Sequence, residues 1–180
     1  MKKGFTLVEL LIVIAIIGIL ASIALVAFRS SQIRSRDAQR KSDLKQIANS
    51  LELLYADYSQ YPPSNVSGQI MGCNFSVGGS VACSWGSGSL SDGKTTYFKV
   101  LPKDPSGGQT YFYRTVNVGG ANQGFQLYAH LENSEDQNCL VENGKANCSN
   151  PTVPGGVTCS SNGDVSCNFS ITSPNVTPTN

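Results

Sequence analysis

The sequence has little histidine, little charge and, over its first third, no proline. His130 is the only histidine among 180 residues, so a site built on imidazoles has no material. Within the apolar stretch Phe125 to Leu131, it reads as a structural or surface residue rather than a general base. No proline precedes Pro62, so nothing before it breaks a helix on that ground. No cysteine precedes Cys73. A formal net charge of +1 gives no bulk attraction to nucleic acid, and the body of the chain is mildly acidic. The glycine pairs Gly78-Gly79, Gly107-Gly108 and Gly119-Gly120 follow no phosphate-loop spacing and read as turns. With no catalytic constellation in the sequence, the expectation is a protein that is not an enzyme. Trp85 and the tyrosines read as core or hairpin packing.

Charge is also missing from Leu10 to Phe28, a run of nineteen residues interrupted only by Gly18 and Ser22. As a helix this run spans roughly 28 Å, close to the hydrocarbon core of a membrane. Immediately before it stands Lys2-Lys3-Gly4-Phe5-Thr6-Leu7-Val8-Glu9. An ionised side chain in a membrane helix costs about 2.5–3.5 kcal/mol at the centre and less near an interface, so Glu9 asks for a partner. A free amine at Phe5, made by cutting after Gly4 on this chain or a neighbour, would supply one. A secretory signal cleaved after Ser22-Ile23-Ala24 is the plainer alternative, but the run is too long and Glu9 fits badly inside it.

The helical pattern continues past the apolar run. Leu44, Ile47, Ala48, Leu51, Leu54, Tyr55 and Tyr58 recur on one amphipathic face until Tyr61-Pro62-Pro63-Ser64 ends the helix. One helix from about Phe5 to Tyr58 would be roughly 80 Å long. Thr95 to Leu101, Gln109 to Val118 and Gly124 to Leu131 read as strands, with a turn cluster from Pro102 to Gly108. An antiparallel sheet of about three strands, lying on the helix stripe, is the expected head.

Six cysteines between Cys73 and Cys167 point to disulfides and an oxidising compartment. Zinc sites favour ligands two to four residues apart, and here the closest two are eight apart. Six cysteines allow fifteen connectivities, of which nearest-neighbour pairing suits the sequence best. Cys139 and Cys148 flank a two-residue turn at Asn143-Gly144, which sets them opposite each other at a non-hydrogen-bonded position. Cys159 and Cys167 face each other around Asn162-Gly163-Asp164, and Cys73 and Cys83 around Val77-Gly78-Gly79. Beyond Cys148 the composition turns to Ser, Asn, Thr, Pro and Gly, and Pro174 to Asn180 has little to bury. Asn65, Asn74, Asn147, Asn168 and Asn175 sit in N-x-[ST] sequences, which such a composition produces by chance.

Residues 29–45 hold six bases against Asp37 and Asp43. This stretch suits either a lipid-headgroup patch or a solvated helix face meeting neighbours. By the positive-inside rule alone it would keep the head in the cytoplasm. The cysteines and the short leader argue for the other side.

The block Gly4-Phe5-Thr6-Leu7-Val8-Glu9-Leu10-Leu11-Ile12-Val13-Ile14 resembles the leader junction of type IV pilins and type II secretion pseudopilins. The resemblance is close over residues 1–28, and its general plan extends to about Tyr61. It implies a prepilin peptidase that cuts after Gly4 and methylates the new amine of Phe5. It also implies a helical filament with the hydrophobic helices at its centre, where Glu9 pairs with the Phe5 amine of an adjacent subunit. Tip-most subunits of the resembling families can dispense with this glutamate, so Glu9 argues for a shaft position. Leu101-Pro102-Lys103-Asp104-Pro105, Tyr111-Phe112-Tyr113 and Phe125-Gln126-Leu127-Tyr128 are similar to the head of the major type II pseudopilin. Two departures stand out. Many pilins have proline where this chain has Val26, and the calcium loop of the pseudopilins is not evident, since Glu132, Glu135 and Asp136 match no calcium spacing.

The expected fold class is α+β: a long N-terminal helix, its apolar half membrane-spanning and its amphipathic half packed on a small antiparallel sheet, with disulfide-stapled hairpins. The expected divisions are a leader at 1–4, a membrane or filament-core helix at 5–28 and an amphipathic helix at 29–59. A β-rich head at 60–148 and a cysteine-stapled, partly flexible region at 149–180 follow. The resemblance implies a structural subunit of a type IV pilus-like filament, with a pseudopilin in protein export as the alternative. A monomeric membrane-tethered binding module is the alternative of a different class. The implied partners are other copies or other pilins, prepilin peptidase, an inner-membrane assembly platform and the membrane. No cofactor is expected, calcium being the one candidate. The head is expected outside the cytoplasm, and the assembled filament extracellular or periplasmic.

Overall fold

The computed structural model describes residues 4–76, 79–142, 144–149, 151, 153 and 155–177. The leader residues Lys2 and Lys3, the loop positions Val77 and Gly78, the turn residue Asn143 and the last three residues lie outside the described residues. The chain divides into two compact units, Met1–Ser35 and Arg36–Asn180.

Helix α1 runs from Leu7 to Tyr58, 52 residues without a break. From Leu7 to Phe28 it is apolar apart from Glu9 and Ser22, and its large apolar side chains whose burial is described are exposed, from Leu7 at 77% to Val13 at 43%. This is the one described helix long and apolar enough to cross a membrane. In the second unit the helix is amphipathic. Leu44, Ile47, Ala48, Leu51 and Leu54 are buried in the core, as the spacing of one face requires. Each of the leucines and the isoleucine contributes about 1.5–3 kcal/mol on burial. The helix ends where Ser59 takes a left-handed backbone (φ 54°) and its amide donates to Tyr55 O at 2.7 Å. The two prolines that follow cannot continue it.

The head is built from short strands: β1 (Cys73–Ser76), β2 (Gly79–Val81), β3 (Leu90–Ser91), β4 (Thr96–Phe98), β5 (Phe112–Val118), β6 (Ala121–Ala129), β7 (Val141–Glu142), β8 (Lys145–Ala146) and β9 (Phe169–Thr172). The main sheet has the antiparallel order β5-β6-β9, and the other strands form three two-stranded hairpins. β5 and β6 turn at Gly119 and Gly120, both at positive φ, as a tight hairpin requires. Phe125, Leu127, Ala129, Tyr111 and Tyr113 join the helix stripe in the main core.

One expectation changes here. The third strand of the sheet is β9, not the stretch Thr95 to Leu101, whose β4 pairs with β3 instead. The reason lies on the far face of the sheet. Tyr128 packs there with Val157, Cys159 and Cys167 in a second, smaller core, so the polar C-terminal region is tied to β6. The disulfides are Cys73–Cys83, Cys139–Cys148 and Cys159–Cys167, with Cα separations of 5.2, 5.2 and 5.0 Å. Around Gly144 the register Val141↔Ala146 continues outward through Asn147 N donating to Leu140 O, which brings Cys139 opposite Cys148.

Candidate functional site

The chemistry of the N-terminal segment starts with two side chains three residues apart. Thr6 precedes the first helical residue, and its hydroxyl accepts from the Glu9 amide at 3.2 Å. The Glu9 carboxylate reaches back to accept from the Thr6 amide at 2.9 Å and the Thr6 hydroxyl at 2.7 Å. This is a capping box: each side chain satisfies a backbone donor that the first helical turn leaves orphaned. The T-x-x-E spacing that signals it stands plainly in the sequence at Thr6 to Glu9. Within one chain, therefore, Glu9 already has work as a cap. Its negative charge, however, has no cationic partner within 4.0 Å among the described residues. Gly4 and Phe5 lie just before the cap, exposed and outside the helix.

A second polar constellation lies wholly within Arg36–Asn180. Arg40 is 0% exposed on the buried side of α1. Its guanidinium donates twice to Asp104, Nε to Oδ2 at 2.7 Å and Nη2 to Oδ1 at 2.8 Å. It also donates to Asp37, Glu132 and the Ser106 hydroxyl, each at 2.8 Å. Asp37 in turn accepts the backbone amides of Glu132 and Asn133 at 2.9 Å. Arg36 pairs with Glu132, and Lys41 with Asp136. Glu132 is thereby held down at about 2, first by the Arg36 hydrogen bond, against its own desolvation, and then by Arg40 and Ser106. Desolvation acts on Asp136 in the opposite sense, but Lys41 overcomes it and lowers that carboxyl as well. Arg40 loses hydration on burial, yet Asp104 and Glu132 more than offset this and raise its affinity for the proton.

This network corrects the reading of residues 29–45. Arg36, Arg40 and Lys41 are neither a headgroup patch nor a solvated face, because they tie the helix to the loops at 104–106 and 132–136. Sequence spacing could not show it, since the partners lie 64 to 96 residues away. Of the remaining candidates, His130 places Nδ1 2.8 Å from the Ser166 carbonyl, a structural bond. Asn168 is buried, and its amide bonds to Leu131 and to Cys148 O at 2.8 Å, which leaves no room for a glycan. Trp85 packs edge-on against Tyr111, with ring centroids 5.7 Å apart. Among the described residues no group of three or more His, Cys, Asp or Glu is placed to hold a metal ion.

Comparison with known proteins bears on the N-terminal segment first. The family described as the prokaryotic N-terminal methylation motif matches residues 1–25. The chain is 42% identical over 60 residues to the type IV major pilin protein PilA of Myxococcus xanthus, covering 33% of this chain and 27% of that protein. It is 36% identical over 67 residues to the type IV major pilin protein PilE1 of Neisseria gonorrhoeae, 37% of this chain and 41% of that one. The chain thus spans well under half the length of these two pilins. Its match to the type II secretion system core protein G of Pseudomonas aeruginosa is longer: 30% identity over 128 residues, 71% of this chain and 82% of that protein. No solved structure matches the chain.

Proposed function

Because the chain belongs to the type IV pilin and pseudopilin family, whose members are structural subunits and not enzymes, we propose that it is a shaft subunit of a type IV pilus-like filament. The observation that carries this reading is the exposed apolar stretch of α1, headed by a capped carboxylate at Glu9 that meets no cation among the described residues. Such a surface needs lipid before assembly and the helices of other subunits after it. Prepilin peptidase cuts after Gly4 and methylates the Phe5 amine. Methylation keeps the charge on nitrogen, so in the filament Glu9 of one subunit faces the Phe5 amine of the next and the two neutralise each other in a low-dielectric core. An inner-membrane platform feeds the subunits in, with their heads outside the cytoplasm, where the three disulfides persist.

A second reading has its own support. The alignment that extends into the head is to a type II secretion core protein, which favours a pseudopilus subunit acting in protein export. Both readings share one scaffold and one assembly chemistry. On either, we read the head as independent of calcium: of the three oxygen donors Glu132, Glu135 and Asp136, two, Glu132 and Asp136, are already neutralised by Arg36, Arg40 and Lys41.

N-terminal mass spectrometry of the protein from cells tests the processing. A chain starting at methylated Phe5 supports the proposal, and an intact Met1 or a start after Ala24 removes its basis. Filament length on cells separates the pilus from the pseudopilus.

A further inference from the structure

We propose that the head carries a binding site for a neutral saccharide, in a cleft of about 580 Å³ between the turn at 65–69 and the disulfide-closed loop at 158–163. Two rings face this cleft, Trp85 and Phe112, among hydroxyl and amide side chains such as Gln69, Thr110, Ser161 and Asn162. None of the described residues lining it carries a charge. That combination selects a ligand class. Nucleotides, phosphates and carboxylates require cationic groups or clustered amide donors, and a lipid tail or apolar peptide requires a wall with few polar groups. A sugar ring offers a flat C–H face to an aromatic ring and a rim of hydroxyls that both donate and accept, as Gln, Asn, Ser and Thr side chains do.

Both walls are built before any ligand arrives. In the loop, Cys159 is bonded to Cys167, and the Ser160 hydroxyl accepts from the Asp164 and Val165 amides at 3.0 and 3.1 Å. The Thr110 amide donates to Cys159 O at 2.9 Å, which joins this loop to the start of the main sheet. In the opposite wall, Asn65 Oδ1 accepts from the Ser67 and Gln69 amides, and the Tyr113 amide donates to Gly68 O at 2.8 Å. Gly68 sits at φ 70° directly over Phe112, and a Cβ there would fall 2.2 Å from the ring. Walls held in place lose little conformational freedom on binding, which is what gives a shallow site useful affinity.

Trp85 supplies a further pointer. Its Nε1 is covered and makes no hydrogen bond within the protein, although buried indole donors usually find a partner. A ligand hydroxyl brought to this N–H would make the bond that the protein leaves unmade.

Trp85 is also the only tryptophan in the chain, so its emission reports on this cleft alone. The test uses the full chain in a detergent without a sugar headgroup, titrated with neutral hexose and N-acetylhexosamine di- and trisaccharides up to about 10 mM. The expected result is a saturable emission change with at least one of them, weakened roughly tenfold or more in Ser161→Arg, which fills the cleft from an exposed position. Circular dichroism of that variant should match the parent. Three results would overturn the proposal: no saturable change with any saccharide, an equal response in Ser161→Arg, or a response confined to negatively charged glycans.

Discussion

The two units of this chain handle apolar surface in opposite ways. In residues 36–180, the leucines and isoleucine of the helix stripe and the rings of the sheet are buried, and each cation of the Arg36, Arg40 and Lys41 group meets a carboxylate. In residues 5–35, the large apolar side chains from Phe5 to Phe28 whose burial is described are exposed, and among the described residues the acidic Glu9 meets only a threonine. A charge and an apolar surface left unmatched within one chain are the usual marks of something that completes itself with others. The difference teaches that stability and function are separated along one helix. Changes in the second unit should lower stability, whereas changes at Glu9 should lower assembly.

The largest effect on stability is expected at Arg40. Arg40→Ala leaves the buried Asp104 without its cation and takes one partner each from Asp37 and Glu132, and removing one partner of a buried pair costs about 3–5 kcal/mol. Chemical denaturation followed by circular dichroism measures it. A loss below about 1 kcal/mol would show that the network is not what holds the helix to its loops.

Replacing Cys159 and Cys167 together by serine opens the loop packed on the far face of β6 and should cost roughly 2–3 kcal/mol. If the double variant is as stable as the parent, the second core holds that loop unaided.

A smaller, graded effect follows from Glu132. Its folded value, about 2, lies below the ordinary 4.5, so the charged form is favoured by folding. Its contribution is therefore complete above about 4.5 and is lost as pH falls toward 2. Thermal unfolding should show a declining Tm across that window, and Glu132→Gln should flatten the decline. The smallest change is expected from calcium: a chelator should leave Tm where it was, and a fall of several degrees would mean that an ion shares the loop with Lys41.

Much of the fold was legible because it is local. The end of α1 follows from two prolines, its buried face from a spacing of three and four, and the tight β5–β6 turn from Gly119-Gly120. What stayed hidden depends on distant residues. Nothing near Arg40 in sequence announces Asp104 or Glu132, so six bases looked like a surface patch when half of them are bound within the protein. β9 was obscured by the polar composition around it, because its partner β6 is buried on both faces and only the fold reveals the second. The Thr6–Glu9 cap is legible in four residues, and it gives Glu9 a second role beside its charge.

That double role makes one substitution the most direct test of the account. Glu9→Gln keeps a side chain that can cap the helix and removes only the charge. Filaments sheared from cells producing this variant can be quantified beside the membrane-inserted pool. The account predicts normal insertion with filaments reduced by roughly tenfold or more, because a neighbour's amine is left without its counter-charge. Filaments as abundant as those of the parent would contradict it.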